Sequence, residues 1–330
     1  MHKQLINEAI INLIIEPDGP ILIKAGESGA DPTRPDMEFV RTHYDGKETI
    51  YLPGSSLKGI LRSHCERIAR TVDNKERRVK RGGQALSCNP LEEGTQKERK
   101  DFSCNKYFEA KKDEIQKAVK GNEQTSRGAE IYRRSCFVCQ MYGNTALSSH
   151  IQITDAYPVE VDKVVTEARS GTAIDRIYGS VLPGALFQFE VATQGTFKTE
   201  IYIKNFTTSQ LGLLALALRD LQMQRIAIGF AKSRGLGRVK ANVESVLVRY
   251  PSGTFWPIEN GNVYGVGALP CETNGYGFRE DDSVTVADVK YETDDWGSMS
   301  AELKGMDKGQ PIYNLWTACL ERWGKIVCAE

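Results

Sequence analysis

The sequence predicts an α+β fold, and three observations carry the prediction. Runs of alternating apolar residues at 9–15, 150–157, 185–204 and 238–250 have the period of strands. Two amphipathic segments, 55–70 and 208–224, have the period of helices and serine or threonine at their starts. The order of these pieces is strand, helix, strands, helix, strand, which is the ferredoxin-like βαββαβ plan with insertions. Length 330 allows one large domain or two smaller ones, with 40% apolar and 26% charged residues. We read residues 1–250 as the βαββαβ domain and 251–330 as a C-terminal extension.

The elements follow in order. "AIINLII" (9–15) and "PILIK" (20–24) read as strands around the turn "EPDG". Residues 25–48 have the glycine, proline and aspartate density of a loop, and hold Asp31, Asp36 and Asp45. The short strand "TIYL" leads through Pro53-Gly54 into a helix capped by Ser55 or Ser56, with Leu57, Ile60, Leu61, Ile68 and Ala69 facing the core. Lys58 and Arg62 lie in its first two turns, where the helix dipole disfavours cations. Either their long side chains bend into water, at a cost of a few tenths of a kcal/mol, or an anion such as phosphate binds there. Residues 73–149 form a charged insertion with a helix near 105–120. Residues 162–183 read as an exposed hairpin. "ALFQFEVAT" and "TFKTEIYIKN" are alternating strands, and Thr208 or Ser209 caps the second helix. "RIAIGF", "AKSRGLG" and "RVKANVESVLVRY" follow as strand, loop and strand. The extension holds all four tryptophans and no repeat.

Net charge is zero, but it is unevenly spread. Residues 54–81 carry nine Lys or Arg against three acids, 225–249 six against one, and 271–306 three against nine. Two basic blocks predict a polyanion-binding face and a separate acidic surface. The second block includes "GFAKSRGLGRVK", a glycine-rich loop with Lys232, Ser233, Arg234 and Arg238 that can wrap a nucleic-acid backbone with amides and cations. The longest apolar run is far short of a membrane span, and "MHKQLINEAI" lacks a signal-peptide core. These predict a cytoplasmic protein without membrane partners.

Eight cysteines in such a chain point to a metal or to buried thiols. Cys136 and Cys139 form a CxxC in "RRSCFVCQMYG", with Cys88 and Cys104 upstream in the insertion. Four thiolates can hold a structural tetrahedral zinc and staple a segment too polar for a core of its own. Cys65 is a rival, read more simply as a buried small hydrophobe. No Ser–His–acid arrangement or phosphate-binding Walker pattern stands out, and the four histidines are scattered. A loop aspartate near a phosphodiester can bind a divalent ion or accept a proton from an attacking hydroxyl.

The segments "YLPGSSLKGILR", "CFVCQMYGN", "IQITDAYP", "GTAIDRIYGSVLPGALFQFEV" and "GFAKSRGLGRV" resemble, in order and spacing over about residues 9–250, the RAMP superfamily. The resemblance is to backbone subunits of type III CRISPR effector complexes, most of all the type III-D branch. It implies a modified ferredoxin, RRM-like fold that polymerises along a guide RNA. A thumb hairpin, here within 162–183, kinks the guide. The resemblance favours the phosphate reading, with Ser55, Ser56, Lys58 and Arg62 on the guide backbone. It implies that a loop aspartate cuts paired target RNA with Mg2+ or Mn2+. "DMEFVR" fits the pattern and places that role on Asp36, ahead of Arg41, with Asp31 as alternative. The implied partners are guide RNA, target RNA, other RAMP subunits and the large subunit of the complex. Two alternatives stand beside this: a non-catalytic structural or end-capping subunit, and an endonuclease that processes precursor CRISPR RNA. The last relies on a histidine near the glycine-rich loop, and residues 151–330 contain none.

Overall fold

The structure, a computed structural model, describes residues 4–26, 35–81, 83–91, 103–120, 126–270 and 275–328. Its strands are β1 (Glu8–Pro17), β2 (Arg41–Tyr44), β3 (Lys47–Ile50), β4 (Ile151–Ile153), β5 (Tyr157–Pro158), β6 (Val165–Ile174), β7 (Val181–Gln194), β8 (Phe197–Lys204), β9 (Val239–Tyr250), β10 (Asn262–Tyr264), β11 (Ser283–Thr285), β12 (Glu292–Thr293) and β13 (Met299–Lys304). Its helices are α1 (Gly54–Val72), α2 (Lys75–Lys80), α3 (Cys104–Ala110), α4 (Lys112–Lys120), α5 (Arg127–Arg134), α6 (Phe137–Tyr142), α7 (Thr208–Gln222) and α8 (Pro311–Cys328).

The main sheet is antiparallel, in the order β12-β13-β9-β1-β8-β4, with β5 also on β8. Its centre, β9-β1-β8-β4, has the strand order of a ferredoxin-like βαββαβ unit, with α1 between β1 and β4 and α7 between β8 and β9. The α+β expectation holds. Alternation explains why: Ala9, Ile11, Leu13 and Ile15 of β1 are buried, as are Phe197, Ile201 and Ile203 of β8. These residues share one sheet face. Leu57, Leu61, Cys65 and Ala69 of α1 are buried in the same core, as is most of α7.

The extension is part of this body. β13 pairs β9 from Met299↔Tyr250 to Lys304↔Ser245. α8 packs on α7 so closely that a Cβ on Gly212 would lie 2.2 Å from the Cys319 carbonyl oxygen.

Four local expectations need correction. "PILIK" is not a strand. It is a buried tie whose carbonyls accept from two loops, Pro20 from Gly237 N (2.9 Å), Leu22 from Phe230 N (2.7 Å) and Ile23 from Val40 N (3.0 Å). "RIAIGF" is likewise irregular, with Ile226 and Ile228 buried. Apolar content signalled burial in both. Ile21 exchanges two bonds with Ala192 of β7 (2.9 and 2.8 Å), but that pairing is an isolated bridge and the other partners are loops. α7 is capped by Thr207, one residue earlier than expected, because Thr207 and Gln210 exchange bonds in a capping box. α1 takes no cap from Ser55 or Ser56. Its N-cap is Pro53, which has no side-chain cap.

Candidate nucleic-acid interface and metal centre

The start of α1 settles where its cations go. A Cβ on Gly54 would lie 2.2 Å from the Ile153 carbonyl oxygen, so the helix can begin against β4 only with glycine there. The Gly54 N–H donates to Asp155 Oδ1 at 2.7 Å, so a carboxylate from another segment already meets the positive end of the helix. Lys58 Nζ donates to Ser149 Oγ (2.9 Å) and the Ile151 carbonyl (3.0 Å). Burial, with the like charge of Arg62, holds Lys58 below the usual lysine range. Arg62 turns the other way, to Glu66 Oε1 (3.0 Å) and toward Cys139 Sγ (3.7 Å). Exposed Ser55 and half-buried Lys58 flank a shallow depression beside Ser149.

A wider groove of about 660 Å3 runs between α1 and the glycine-rich loop. Ser56, Gly59, Ser63 and Arg67 form the α1 side, Arg225, Gly229, Phe230 and Lys232 the other, with Lys24 at one end. Among the described residues no carboxylate lines it. Burial, then the charge of Arg67, holds Lys232 below the usual lysine range, so these two cations face each other across the groove. Gly229 has φ +77°, and a Cβ there would lie 2.1 Å from the Leu22 carbonyl oxygen. Its role is therefore to seat the loop on the 20–24 tie. The structure brings Ser56 and Lys232 together in this groove. It does not bring in Arg62, or Arg238, which pairs with Asp18 (3.1 Å) and bonds Gln224. Ser233 and Arg234 are exposed in a 3-10 turn beside it.

Asp36 is exposed, and its loop lies along the hairpin strand β7. Its Oδ2 accepts from Gln188 N at 2.8 Å, and Met37 bridges to Phe189. Buried Glu190 clamps the loop, accepting from Phe39 N (3.1 Å) and pairing with Arg41. The hairpin β6–β7 is long, and its tip is apolar and open, with Ile177 85% and Tyr178 83% exposed. Asp31 lies outside the described residues.

The four cysteines converge from three places: Cys88 after α2, Cys104 at the start of α3, and Cys136 and Cys139 at the start of α6. Their sulfurs all lie within 4.8 Å of one another, with Cys88 and Cys139 at 3.7 Å. Zinc–sulfur bonds of about 2.3 Å in a tetrahedron imply an S–S edge of about 3.8 Å. The set can hold a metal ion such as zinc. Local packing brings it together: buried Asp73 binds Arg78 (2.8 Å), Arg81 and Leu86 N (3.1 Å), and Arg70 donates to the Cys88 carbonyl at 2.8 Å. Hydrogen bonds from Cys104, Cys136 and Cys139 hold the Cys88 thiol well below its ordinary range. Cys65 stays apart, buried, its thiol pushed up to about 12 by burial.

Two groups escaped the sequence reading. Asp155 was hidden because it caps a helix that begins 101 residues earlier. His64 Nε2 contacts Asp220 Oδ2 at 2.8 Å, and Arg67 Nη2 contacts His64 Nδ1 at 3.0 Å. Arginine only donates, so Nδ1 accepts and the Nε2–H donates to Asp220. The ring is thus engaged at both nitrogens. It aims Arg67 at the groove and offers an RNA hydroxyl no base. The i, i+3 spacing of His64 and Arg67 on one helix was the available signal.

No helix among the described residues is long and apolar enough to cross a membrane. No curated protein matches the chain. A family model, that of the RAMP superfamily, matches residues 15–240, from β1 to the start of β9 and so through every element that builds the groove. The chain belongs to the RAMP superfamily, whose members bind RNA and are associated with multi-subunit CRISPR–Cas effector complexes.

Proposed function

We propose that the chain is a cytoplasmic backbone subunit of a type III CRISPR effector complex, most like the type III-D branch. It grips guide RNA by its phosphates and cuts the paired target RNA. The observation that carries this is the groove between α1 and the glycine-rich loop, where Arg67 and Lys232 face each other and no carboxylate answers them among the described residues. Such a site needs an anion, and a chain of phosphates supplies one without regard to sequence. Ser56 and Ser63 add hydroxyl donors, and Phe230, 40% exposed, offers a base a ring to stack on. The apolar tip of β6–β7 is suited to wedge between bases and interrupt their stacking.

Asp36 lies at the hairpin strand, where a displaced base would leave the target backbone bent. Its Oδ1 makes no hydrogen bond among the described residues, so it can accept a proton from an attacking ribose hydroxyl. The exposed carboxylate also offers one oxygen to Mg2+ or Mn2+, which would offset charge developing on the phosphate when bound. The four cysteines would hold a zinc ion that is structural and takes no part in cleavage. The partners are guide and target RNA, neighbouring RAMP subunits and the large subunit of the complex.

The test is Asp36→Ala in the assembled complex, with magnesium or manganese present. Guide and target binding should persist while the cuts made by this subunit disappear, and Asp31→Ala should matter less. Undiminished cleavage in both variants would make the chain a non-catalytic structural or end-capping subunit. His64, with both ring nitrogens already bonded to Asp220 and Arg67, gives the precursor-processing alternative no support.

A further inference from the structure

A second cavity, of about 540 Å3, opens between the insertion, the first turn of α7 and the C-terminal extension. It shares no lining residue with the groove. One wall is aromatic. Tyr276 and Phe278 stack with ring centroids 5.7 Å apart and planes within 7°, and Tyr132 meets them at 5.7 and 5.3 Å. Both stacked residues are half-buried, so each keeps surface open. Three exposed cations from three separate elements also line the cavity: Lys80 of α2, Arg133 of α5, which lies beside Gly277, and Lys325 of α8.

Basic residues outnumber acidic ones six to two around the lining, and both acids are committed to protein partners. Asp281 pairs with Arg279 (3.0 Å) and Arg322 (2.8 Å). Asp282 is buried and accepts from Thr208 N (2.8 Å) and Thr208 Oγ1 (2.6 Å), so its charge serves the start of α7. The cavity falls within the range of about 300–1,000 Å3 common for small-molecule sites. Of the three exposed cations, Arg133 pairs with buried Glu130 (2.5 Å), while Lys80 and Lys325 have no acidic partner among the described residues. A flat π surface beside these cations is complementary to a nucleotide, base against the rings and phosphate against the ammonium groups. A lipid chain would use neither feature fully, and an inorganic anion would leave the aromatic wall idle.

We propose that this cavity is a second nucleotide-binding site, separate from the phosphate groove. It takes a nucleotide unit, either free or as one residue of a single-stranded RNA.

The full-length chain should be titrated by calorimetry with ATP, adenosine and inorganic phosphate. ATP is expected to bind, and adenosine and phosphate, each carrying half of the recognition, to bind far more weakly. Phe278→Ala should weaken ATP by about 5- to 150-fold, the loss of one stacking partner, and Phe278→Tyr should restore it. Lys80→Ala with Lys325→Ala, both exposed and without an acidic partner among the described residues, should weaken ATP and flatten its salt dependence. This pair decides the matter if Phe278→Ala fails to fold. Photo-crosslinking of short 4-thiouridine RNA to the Tyr276–Phe278 peptide, displaced by ATP, would identify a strand nucleotide as the source. ATP binding without that crosslink would identify free nucleotide. The proposal is overturned if neither ATP nor RNA reaches the site. It is equally overturned if binding survives both sets of variants, or is lost only with Arg67→Ala and Lys232→Ala in the groove.

Discussion

Asp155 explains why α1 tolerates cations in its opening turns. The Gly54 N–H bonds its carboxylate, which supplies both the acceptor that a capping serine would offer and the negative charge that a bound anion would bring. Lys58 is then held by Ser149 and a β4 carbonyl, and Arg62 by Glu66 and the cysteine cluster. With a metal bound, the negatively charged metal–thiolate group beside Arg62 would make its charge an asset to the metal rather than to RNA. The cations that face the groove are farther along, at Arg67, and across it, at Lys232. Replacing both with alanine should weaken binding of unrelated single-stranded RNAs alike. It should also reduce the slope of log affinity against log salt by about one for each phosphate that is no longer neutralised. Fluorescence anisotropy over a salt series measures this. Lys58→Ala and Arg62→Ala should leave the slope nearly unchanged. Should those two flatten it as much, the phosphate path runs over the start of α1 instead.

At the scale of elements, the βαββαβ order was legible because its strands alternate and its helices carry a continuous apolar stripe. What was not legible came from partners distant in sequence. "PILIK" and "RIAIGF" have strand composition, yet beyond one bridge from Ile21 to Ala192 of β7 their backbone bonds go to loops, and composition cannot say where a carbonyl will find its donor. The cap of α1 lies on another segment for the same reason. The cysteine cluster was legible because thiols are few and chemically specific, whereas the groove was legible only in part: Ser56 and Lys232 line it, Arg62 and Arg238 do not. The insertion's own helices are short: α5 and α6 bury Ile131, Tyr132, Phe137, Val138, Met141 and Tyr142, but α2 buries nothing and α3 only Cys104 and Phe108. Its order should therefore depend on the metal. Elemental analysis is expected to find about one zinc per chain. A strong chelator should lower the unfolding midpoint and open the stretch between α2 and α6 to protease before the sheet is cut. Cys136→Ser should reproduce this, and Cys65→Ser should not. A chain that is metal-free and equally protected would remove the zinc from the account.

For the molecule as a whole, residues 251–330 complete the core that the first 250 residues begin. β13 covers the edge of β9, which would otherwise present unpaired backbone along Ser245–Tyr250. α8 lays Ile312, Leu315, Trp316, Trp323 and Val327 into the apolar interior. At about 1.5–3 kcal/mol for each large buried side chain, these alone contribute on the order of 10 kcal/mol. That rivals the roughly 5–15 kcal/mol by which a native domain exceeds its unfolded chain. A chain ending at residue 250 should thus be insoluble or lack cooperative unfolding. Gly212 allows a finer test of the same packing. A methyl there would press on the Cys319 carbonyl, a backbone atom that can yield only if α8 shifts as a body. Gly212→Ala should cost about 1–3 kcal/mol in urea unfolding, while RNA affinity in the groove, which α8 does not line, stays the same. A 1–250 fragment that unfolds as cooperatively as the full chain would show instead that the extension is a separate unit resting on an already complete fold.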